Sequence, residues 1–330
     1  MKKSRLGFIL LLSVFALFFC GCGNATEEEL LPFAYSGSDF FEYYDVGNDR
    51  NADFLKGRAT EVCIPSETTM EEIDSKDYVY ALYHVSDNQM LEEHGILEKI
   101  YPASVTKLLT SYLALKYCDL SEPVTFSYNA SHIGVYGAML CGFKEGDTVI
   151  LGDLLSAFLI CSGNDAGIAI AEHVSGSVEA FADLMNEEAR KLGAVDSHFV
   201  NPHGLHNADH YTTAYDMYLV LNELVHYNKF ISTISQSSCT VEYTDAKGNV
   251  NYKTFESTNL FFNGTYKVPE GIEIIGGKTG TTNAAGCCLV LYFKDSNGDF
   301  YIAEVFRAPS YEVLYGKMVE LMKQVSESNR

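Results

Sequence analysis

Basic residues are scarce in this chain of 330 residues. Twenty-three lysines and arginines stand against 44 aspartates and glutamates, which gives a formal net charge of -21 at pH 7. A chain with this charge repels phosphate backbones and other polyanions, so the composition argues against nucleic acid as a partner. Any anionic substrate must therefore be met by a local cation in its binding site.

Cysteine spacing that would hold zinc is also missing. No C-x-x-C occurs, and two of the nine cysteines, Cys20 and Cys22, fall near the N-terminus, which leaves an odd number, seven, for the rest of the chain. This indicates neither a zinc site nor a fully paired disulfide framework, so we expect most of the seven to be buried free thiols. Cys287 and Cys288 are adjacent in an apolar run. Because neighbouring side chains of a strand point to opposite faces, we expect no disulfide between them.

The chain has no internal repeat and no low-complexity tract, and 47% of its residues are hydrophobic, enough for a sizeable core. Its first residues form a separate segment. Lys2, Lys3 and Arg5 precede an apolar run over 6–19. That run is short for a membrane-spanning helix and is typical of an export signal.

The residues after this run leave two outcomes open. Residues 19–22, FCGC, resemble a bacterial lipoprotein processing site, in which Cys22 would be lipidated and would anchor the protein to the membrane. Ordinary cleavage after Ala25 is the alternative. Either outcome predicts an extracytoplasmic protein, secreted or anchored to the outer face of the bacterial cell membrane. We therefore divide the chain into an export signal (1–25), an acidic and aromatic extension or tether that partly packs on the domain (26–76), and a folded domain (77–330).

Strand patterns lie near both ends of the folded region, and helical patterns lie between them. YVYALYHV and the residues after an Asp87-Asn88 turn predict one hairpin, and GCCLVLYF with FYIAEVF predicts another. Helical periodicity covers 151–174, 178–192 and 212–227, and SYEVLYGKMVELMKQV predicts a closing amphipathic helix. The order predicts an α/β (α+β) fold, with one antiparallel sheet built from N- and C-terminal strands and a helical subdomain inserted.

The stretch PASVTKLLT, residues 102–110, carries the first chemical signal. Pro102 suits a first helical turn, and the apolar residues that follow recur at helical spacing. Ser104 and Lys107 would then lie on one face, near the end where backbone N–H groups are unpaired. This arrangement would hold an ammonium against a hydroxyl. The spacing alone is weak evidence for a reactive pair, since most S-x-x-K sequences lie on solvated helix faces.

Two further motifs strengthen the signal of the S-x-x-K spacing. CSGNDAG places Ser162 and Asn164 directly after an apolar helix, and GGKTGTT places Lys278, Thr279 and Gly280 at the start of a late strand. Each triplet is common by itself. In the order S-x-x-K, S-x-N, K-T-G they form the constellation of penicillin-binding proteins and class A β-lactamases.

The segments around the motifs narrow the resemblance. They read, in order, PASVTKLLT, SGNDAGIAIAEHVSGSVEAFADLMNEEARKLGA, HFVNPHGL, HYTTAYDM and GGKTGTTNAAGCCLV. This succession resembles the serine-type D-alanyl-D-alanine carboxypeptidases, the low-molecular-mass penicillin-binding proteins, over residues 78–325. The resemblance implies a β-lactamase/transpeptidase-like fold and makes 77–330 a penicillin-binding carboxypeptidase domain. Three departures stand out: the stretch 239–277 is longer than usual, and we expect neither a C-terminal β-rich second domain nor a basic C-terminal anchor.

The resemblance also implies roles for the motif residues. Ser104 would be the nucleophile and Lys107 its base, with a pKa lowered by burial and by the charge of Lys278. Ser162 would relay the proton to the leaving amine, and Asn164 would bridge the lysines and the substrate backbone. The oxyanion hole would consist of the backbone N–H groups of Ser104 and of the residue after K-T-G. Substrate-binding residues would be Thr279, Gly280, Thr281 and, on the neighbouring strand, Arg307.

Three functions fit these motifs. The first is a D,D-carboxypeptidase that removes the terminal D-alanine from peptidoglycan stem peptides ending in D-Ala-D-Ala through an acyl-enzyme on Ser104, with β-lactams as covalent inhibitors. The second is a serine β-lactamase. Class A enzymes deacylate with a glutamate in an E-x-x-L-N loop, whereas this chain reads DSHFVNPHGL there, which favours the carboxypeptidase. The third is a non-catalytic sensor of β-lactams or stem peptides, against which the intact motifs argue.

Neither a cofactor nor a metal is expected. His203, His206 and His210 invite a metal interpretation, but the first lies in a Pro-His-Gly turn and the three lack helical ligand spacing. We therefore predict a site that works without a metal ion or a cofactor.

Overall fold

The computed structural model describes residues 62–65 and 77–328. The predicted export signal, Cys22 and most of the predicted extension lie outside these residues. Within the described part of the chain, no helix combines the length and the apolar character needed to cross a membrane.

The N-terminal and C-terminal strands meet in one antiparallel sheet. The strands are β1 (Val79–His84) and β2 (Gln89–His94), then β7 (Ile272–Thr282), β8 (Gly286–Asp295) and β9 (Phe300–Ala308). Their order across the sheet is β2-β1-β9-β8-β7, with β1 paired directly to β9. Both predicted hairpins and the predicted sheet are thus confirmed.

The chain between β2 and β7 is mainly helical. A 3-10 helix (Ala103–Thr106) leads directly into α1, and the described helices are α1 (Lys107–Tyr117), α2 (Tyr128–Ser131), α3 (Leu151–Ile160), α4 (Asn164–Ser175), α5 (Val178–Lys191), α6 (Ala214–Leu224), α7 (Asn228–Ile234) and α8 (Tyr311–Ser328). The periodicity over 151–174 predicted one helical stretch, but it is interrupted at 161–163. Ser162 adopts φ 65°, which no continuous right-handed helix allows.

Both faces of the main sheet are covered. Leu289, Leu291 and Phe293 of β8 belong to the cluster that includes α8, whereas Cys288 and Val290 belong to the cluster that includes the inserted helices. Because side chains alternate along a strand, burial on both faces explains why β8 is apolar without interruption. Cys287 and Cys288 lie in different clusters, and both are free thiols as predicted.

A second antiparallel sheet was not predicted. It consists of β3 (Pro123–Thr125), β4 (Thr148–Ile150), β5 (Ser238–Thr244) and β6 (Val250–Glu256), in that order. The hairpin of β5 and β6 accounts for much of the long stretch 239–277. The signal was present, since burial alternates along β5 and Asp245 caps the turn by accepting hydrogen bonds from the backbone N–H of Lys247 and Asn249.

Part of the predicted extension packs on the domain. Cys63 is fully buried, its backbone N–H donates to the Tyr218 hydroxyl at 2.8 Å, and its carbonyl accepts from the Tyr215 hydroxyl at 2.8 Å. Both tyrosines belong to α6. The remainder of 26–76, apart from Val62–Pro65, lies outside the described residues, so the domain boundary at 77 stays a prediction.

Candidate active site

Ser104 and Lys107 lie side by side where the 3-10 helix runs into α1. The Lys107 Nζ is 2.9 Å from the Ser104 Oγ, so the predicted shared face exists. Lys107 is fully buried, while Ser104 is partly exposed. A solvated helix face, the alternative interpretation of S-x-x-K, is therefore wrong for this pair.

The Lys107 amine also contacts two further oxygens. Its Nζ is 2.7 Å from the Asn164 Oδ1 and 2.7 Å from the His203 carbonyl oxygen. Burial and the nearby charge of Lys278 hold the pKa of Lys107 well below its usual value. A neutral amine can donate to two oxygens and keep its lone pair for the third contact. In the neutral form of Lys107, Asn164 and His203 would thus leave the lone pair for the Ser104 hydroxyl.

Lys278 enters the cluster from β7. Its Nζ donates to the Ser162 Oγ at 3.0 Å and to the carbonyl oxygen of Thr279 at 3.0 Å. The side chain is 1% exposed, and burial lowers the pKa of Lys278 to about 7. Lys278 lies in the second half of β7, so its predicted position at the start of a strand was wrong. The strand begins earlier, at Ile272, because the apolar residues before K-T-G also pair with β8.

Two residues beside the reacting groups hold unusual backbone conformations. Ala103, directly before Ser104, has φ 47°, and Ser162 has φ 65°. Left-handed backbone is costly for residues with a side chain and persists only where the surroundings enforce it. Gly204 packs directly against Ala103, since a Cβ at that glycine would lie 1.7 Å from the Ala103 carbonyl oxygen. Nothing larger than glycine fits at position 204.

Gly280 brings β7 against the nucleophile. A Cβ on Gly280 would lie 2.9 Å from the backbone nitrogen of Ser104 and 3.1 Å from the carbonyl oxygen of Pro102. Contacts this short require a residue without a side chain, which is the physical reason for glycine in K-T-G here. The K-T-G strand therefore lies directly against the backbone nitrogen of Ser104 at Gly280.

The two threonines of the strand have different exposure. Thr279 is 8% exposed and its Oγ1 is 2.5 Å from the Thr258 Oγ1. Thr281 is exposed and its Oγ1 is 3.0 Å from the Tyr311 hydroxyl. Thr258 and Tyr311 were not identified from the sequence, because neither belongs to a motif. They come next to K-T-G from the loop after β6 and from the start of α8.

Arg307 is further from the K-T-G strand than the sequence predicted. It lies on β9, and β8 separates β9 from β7, so the expectation of a neighbouring strand was wrong. Arg307 has φ 62° at the point where the pairing of β8 and β9 shifts register between Cys287 and Leu289. Such bulges redirect side chains near the rims of sheets.

A loop over 200–210 packs against the segment that carries Ser104. The carbonyl oxygen of Pro202 accepts a hydrogen bond from Thr110, and that of His203 accepts one from Lys107. His210 Nδ1 accepts from the backbone N–H of Val200, so its Nε2 carries the hydrogen and donates to the Thr106 Oγ1 at 2.8 Å. Burial lowers the pKa of His210 to about 3, which keeps the ring neutral. These histidines act as structural supports of the Ser104 turn, a function that the motifs alone did not indicate.

Comparison with known proteins is consistent with this geometry. A family model described as D-alanyl-D-alanine carboxypeptidase, Peptidase_S11, matches residues 64–309. The match covers well over half of the chain. The fold and the site of this chain are those of a serine peptidase of the penicillin-binding class. The chain belongs to this D-alanyl-D-alanine carboxypeptidase family, as its motifs predicted.

Individual relatives share parts of their length with this chain. It is 34% identical over 205 residues to a D-alanyl-D-alanine carboxypeptidase of Bacillus subtilis, a match that covers 61% of this chain and 49% of the relative. A carboxypeptidase of the same name from Escherichia coli is 37% identical over 169 residues, covering 49% and 42%. The chain thus spans about half the length of the curated relatives it matches.

Solved structures share the fold. The Streptomyces K15 DD-transpeptidase superposes with a TM-score of 0.68 at 22% identity, covering 74% of this chain and 94% of that one. A D-alanyl-D-alanine carboxypeptidase of Francisella tularensis gives 0.64 at 25% identity, covering 86% and 75%. The predicted transpeptidase-like fold is confirmed.

Proposed function

We propose that this protein is a serine D,D-carboxypeptidase that releases the terminal D-alanine of peptidoglycan stem peptides ending in D-Ala-D-Ala. One observation carries the proposal: a buried lysine amine, whose pKa burial and Lys278 lower, lies 2.9 Å from a partly exposed serine hydroxyl. A serine needs such a base to become a nucleophile near neutral pH. Family membership and the three motifs support the same activity.

Acylation would begin with proton transfer from the Ser104 hydroxyl to the Lys107 amine while the oxygen attacks the scissile carbonyl. The oxyanion would be stabilised by the Ser104 backbone N–H and by that of Thr281, which follows the close approach at Gly280. Lys278 and Thr279 would bind the terminal carboxylate of the peptide. This gives the acidic chain the local cation that an anionic substrate requires.

The leaving amine needs a proton before it can depart. Ser162 accepts a hydrogen bond from Lys278 at 3.0 Å, and Asn164 accepts one from Lys107 at 2.7 Å, so these two neighbouring residues together contact both lysines. Ser162 would give its hydroxyl proton to the departing D-alanine amine and take up the proton that Lys107 had accepted. The neutral Lys107 would then activate water against the ester. Arg307 lies at the β8–β9 bulge. Its side chain would assist carboxylate binding only if this bulge turns it toward the K-T-G strand.

Deacylation distinguishes this function from that of a β-lactamase. Asp165 is the carboxylate that lies near Lys107, and it already accepts hydrogen bonds from the backbone N–H groups of Cys141 and Gly142, both at 2.7 Å. No second base is therefore available from Asp165. After D-alanine leaves, water reaches the small peptide ester, whereas an opened β-lactam keeps its ring portion attached and blocks that path.

Two measurements test the proposal. Purified protein should release D-alanine repeatedly from a D-Ala-D-Ala peptide while a penicillin adduct persists for minutes or longer in intact-mass spectra. Ser104→Ala should abolish both D-alanine release and labelling, because both begin with the same acylation. Rapid loss of the adduct with turnover of penicillin and no D-alanine release would instead establish a β-lactamase. Stable labelling without any D-alanine release would indicate a sensor.

The protein would work outside the cytoplasm, where its substrate is found. The location depends on the export signal in the sequence, and only membrane anchoring depends on lipidation of Cys22. The N-terminal peptide of protein recovered from membranes would decide between the two processing routes. A lipid-modified Cys22 supports anchoring, and an unmodified N-terminus just after Ala25 contradicts it.

A further inference from the structure

Two cysteine thiols meet beside the S-x-N turn. The Sγ atoms of Cys141 and Cys161 are 3.3 Å apart, and both residues are free thiols that are 6% and 8% exposed. A disulfide bond is about 2.05 Å long, so the sulfurs would need to approach by only about 1.2 Å. Neither thiol has a place in the proposed reaction.

The two segments that carry these thiols are already fixed against each other. Asp165 accepts hydrogen bonds from the Cys141 and Gly142 N–H groups, and the Asn164 N–H donates to the Met139 carbonyl oxygen at 2.8 Å. A Cβ at Gly163 would lie 2.3 Å from the Cys141 Sγ. The sulfur of Cys141 therefore rests directly on the turn that contains Ser162.

Other cysteines of the described chain lack this geometry. Cys287 and Cys288 are adjacent but belong to clusters on opposite faces of the main sheet. Cys239 is buried 98 residues away in sequence from Cys141 and has no sulfur contact of this kind among the described residues. The closeness of Cys141 and Cys161 is thus specific to this pair.

We propose that Cys141 and Cys161 form a disulfide when the protein meets a small-molecule disulfide as oxidant. The cross-link joins the segment before β4 to the turn between α3 and α4. It is a covalent site distinct from the reacting serine, and it does not depend on the proposed carboxypeptidase activity.

The exchange balances in two steps. The Cys161 thiolate attacks one sulfur of the oxidant, forming a mixed disulfide and releasing one thiolate. The Cys141 thiolate then attacks the Cys161 sulfur, closing the internal disulfide and releasing the second. The two cysteines lose two electrons and two protons, and the oxidant becomes two thiols. A hydrogen bond from Cys141 lowers the pKa of Cys161, which suits Cys161 to the first attack.

The cross-link would act on the strained turn. Cys161 directly precedes Ser162, whose φ of 65° must be imposed by its surroundings. A covalent bond from Cys161 to the neighbouring segment restricts the unfolded chain and adds one more constraint on that turn. Oxidation should therefore stabilise the domain, raising its Tm by about 5 °C or more.

The test uses reduced protein exposed to oxidised glutathione in two ways, in the native state and during refolding from urea, so that burial of the thiols cannot limit access. After free thiols are alkylated, intact-mass spectra should show two fewer alkylated cysteines and the loss of two hydrogen atoms. Peptide mapping should join the Cys141 and Cys161 peptides. The rise in Tm should disappear on addition of dithiothreitol.

Variants make the assignment specific. Cys141→Ser and Cys161→Ser should each abolish the cross-link and the rise in Tm, while Cys239→Ser, a buried single cysteine, should keep both. The proposal is overturned if every thiol survives both oxidation routes, if the cross-link joins other cysteines, or if glutathione stays attached to Cys161. A cross-link that leaves Tm unchanged or lower would refute its stabilising effect on the turn.

Discussion

Replacing Gly280 by alanine tests the link between the K-T-G strand and the nucleophile. The Gly280 backbone does not lie in the left-handed region, so alanine meets no conformational penalty there. Its new Cβ would instead lie 2.9 Å from the Ser104 nitrogen and 3.1 Å from the Ala103 Cβ. Any effect of the substitution must therefore come from these contacts.

The expected magnitude follows from the distances. Ordinary Cβ contacts begin near 3.4 Å, so the Ser104 N–H must retreat by about 0.5 Å. Complete loss of one oxyanion donor costs about 3 kcal/mol in the barrier, or a factor of about 100. Because the donor is displaced rather than deleted, we expect acylation to slow by between about 10-fold and 100-fold.

The assay is the second-order rate of acylation by a fluorescent penicillin, measured together with Tm. Gly316→Ala is the matched control, since a Cβ at Gly316 meets no atom within 4 Å. That control should acylate at the wild-type rate and gain about 0.5–1 kcal/mol of stability as a helix residue. An alanine at position 280 that acylates within about threefold of wild type, with unchanged Tm, would refute the inference that this approach positions the oxyanion donor.

Three further predictions address titrating groups. Lys107→Arg should lose acylation nearly as completely as Lys107→Ala, because a guanidinium stays protonated and cannot accept the serine proton. The acylation rate should rise with pH as Lys107 becomes neutral and should fall again as Lys278 loses its charge. Burial lowers the pKa of Lys278 to about 7. In Lys278→Arg the fall at alkaline pH should disappear. Glu304→Gln should unfold at higher urea concentration than wild type at pH 8, with a smaller difference at pH 5.

The sign of the Glu304 effect follows from burial. Glu304 is fully buried, and burial raises its pKa well above the usual value. Within the described residues, its carboxylate accepts a long hydrogen bond of 3.4 Å from the Tyr83 hydroxyl. Between the unfolded and folded pKa values the unfolded chain releases the proton first, so the free energy of unfolding falls as pH rises. Glutamine does not titrate and escapes that loss. If Glu304→Gln showed the same pH dependence of unfolding as wild type, the titrating group would be one other than Glu304. Substantial activity in Lys107→Arg would assign the base to another group.

The sequence predicted those parts of the fold where periodicity and burial coincide. β8 reads as an apolar strand because both of its faces are covered, and α8 shows one apolar stripe because one face meets the sheet. The hairpin of β5 and β6 was missed, because Val250 and Tyr252 lie on the exposed face of β6 and the context gave no expectation of a second sheet. The alternation of apolar and polar residues along β5, considered by itself, would have predicted a strand there.

At the site, the motifs predicted which residues meet but not what holds them. Ser104, Lys107, Ser162, Asn164 and Lys278 come together as expected, because motif order and spacing carry that information. The constraints on the turns come from residues whose sequence context is ordinary. Gly204 against the Ala103 carbonyl is a contact between segments about 100 residues apart, and no local pattern encodes it.

Neither buried lysine has a carboxylate as a hydrogen-bond partner in the described part of the chain. The Lys107 amine contacts three neutral oxygens, and the Lys278 amine contacts two. In the proposed reaction the missing negative charge arrives with the substrate, whose carboxylate would raise the pKa of Lys278 and fix a positive charge there. That charge disfavours a second one on Lys107. Binding of the correct substrate therefore makes the base more completely neutral, so the group that recognises the peptide also prepares the group that activates Ser104.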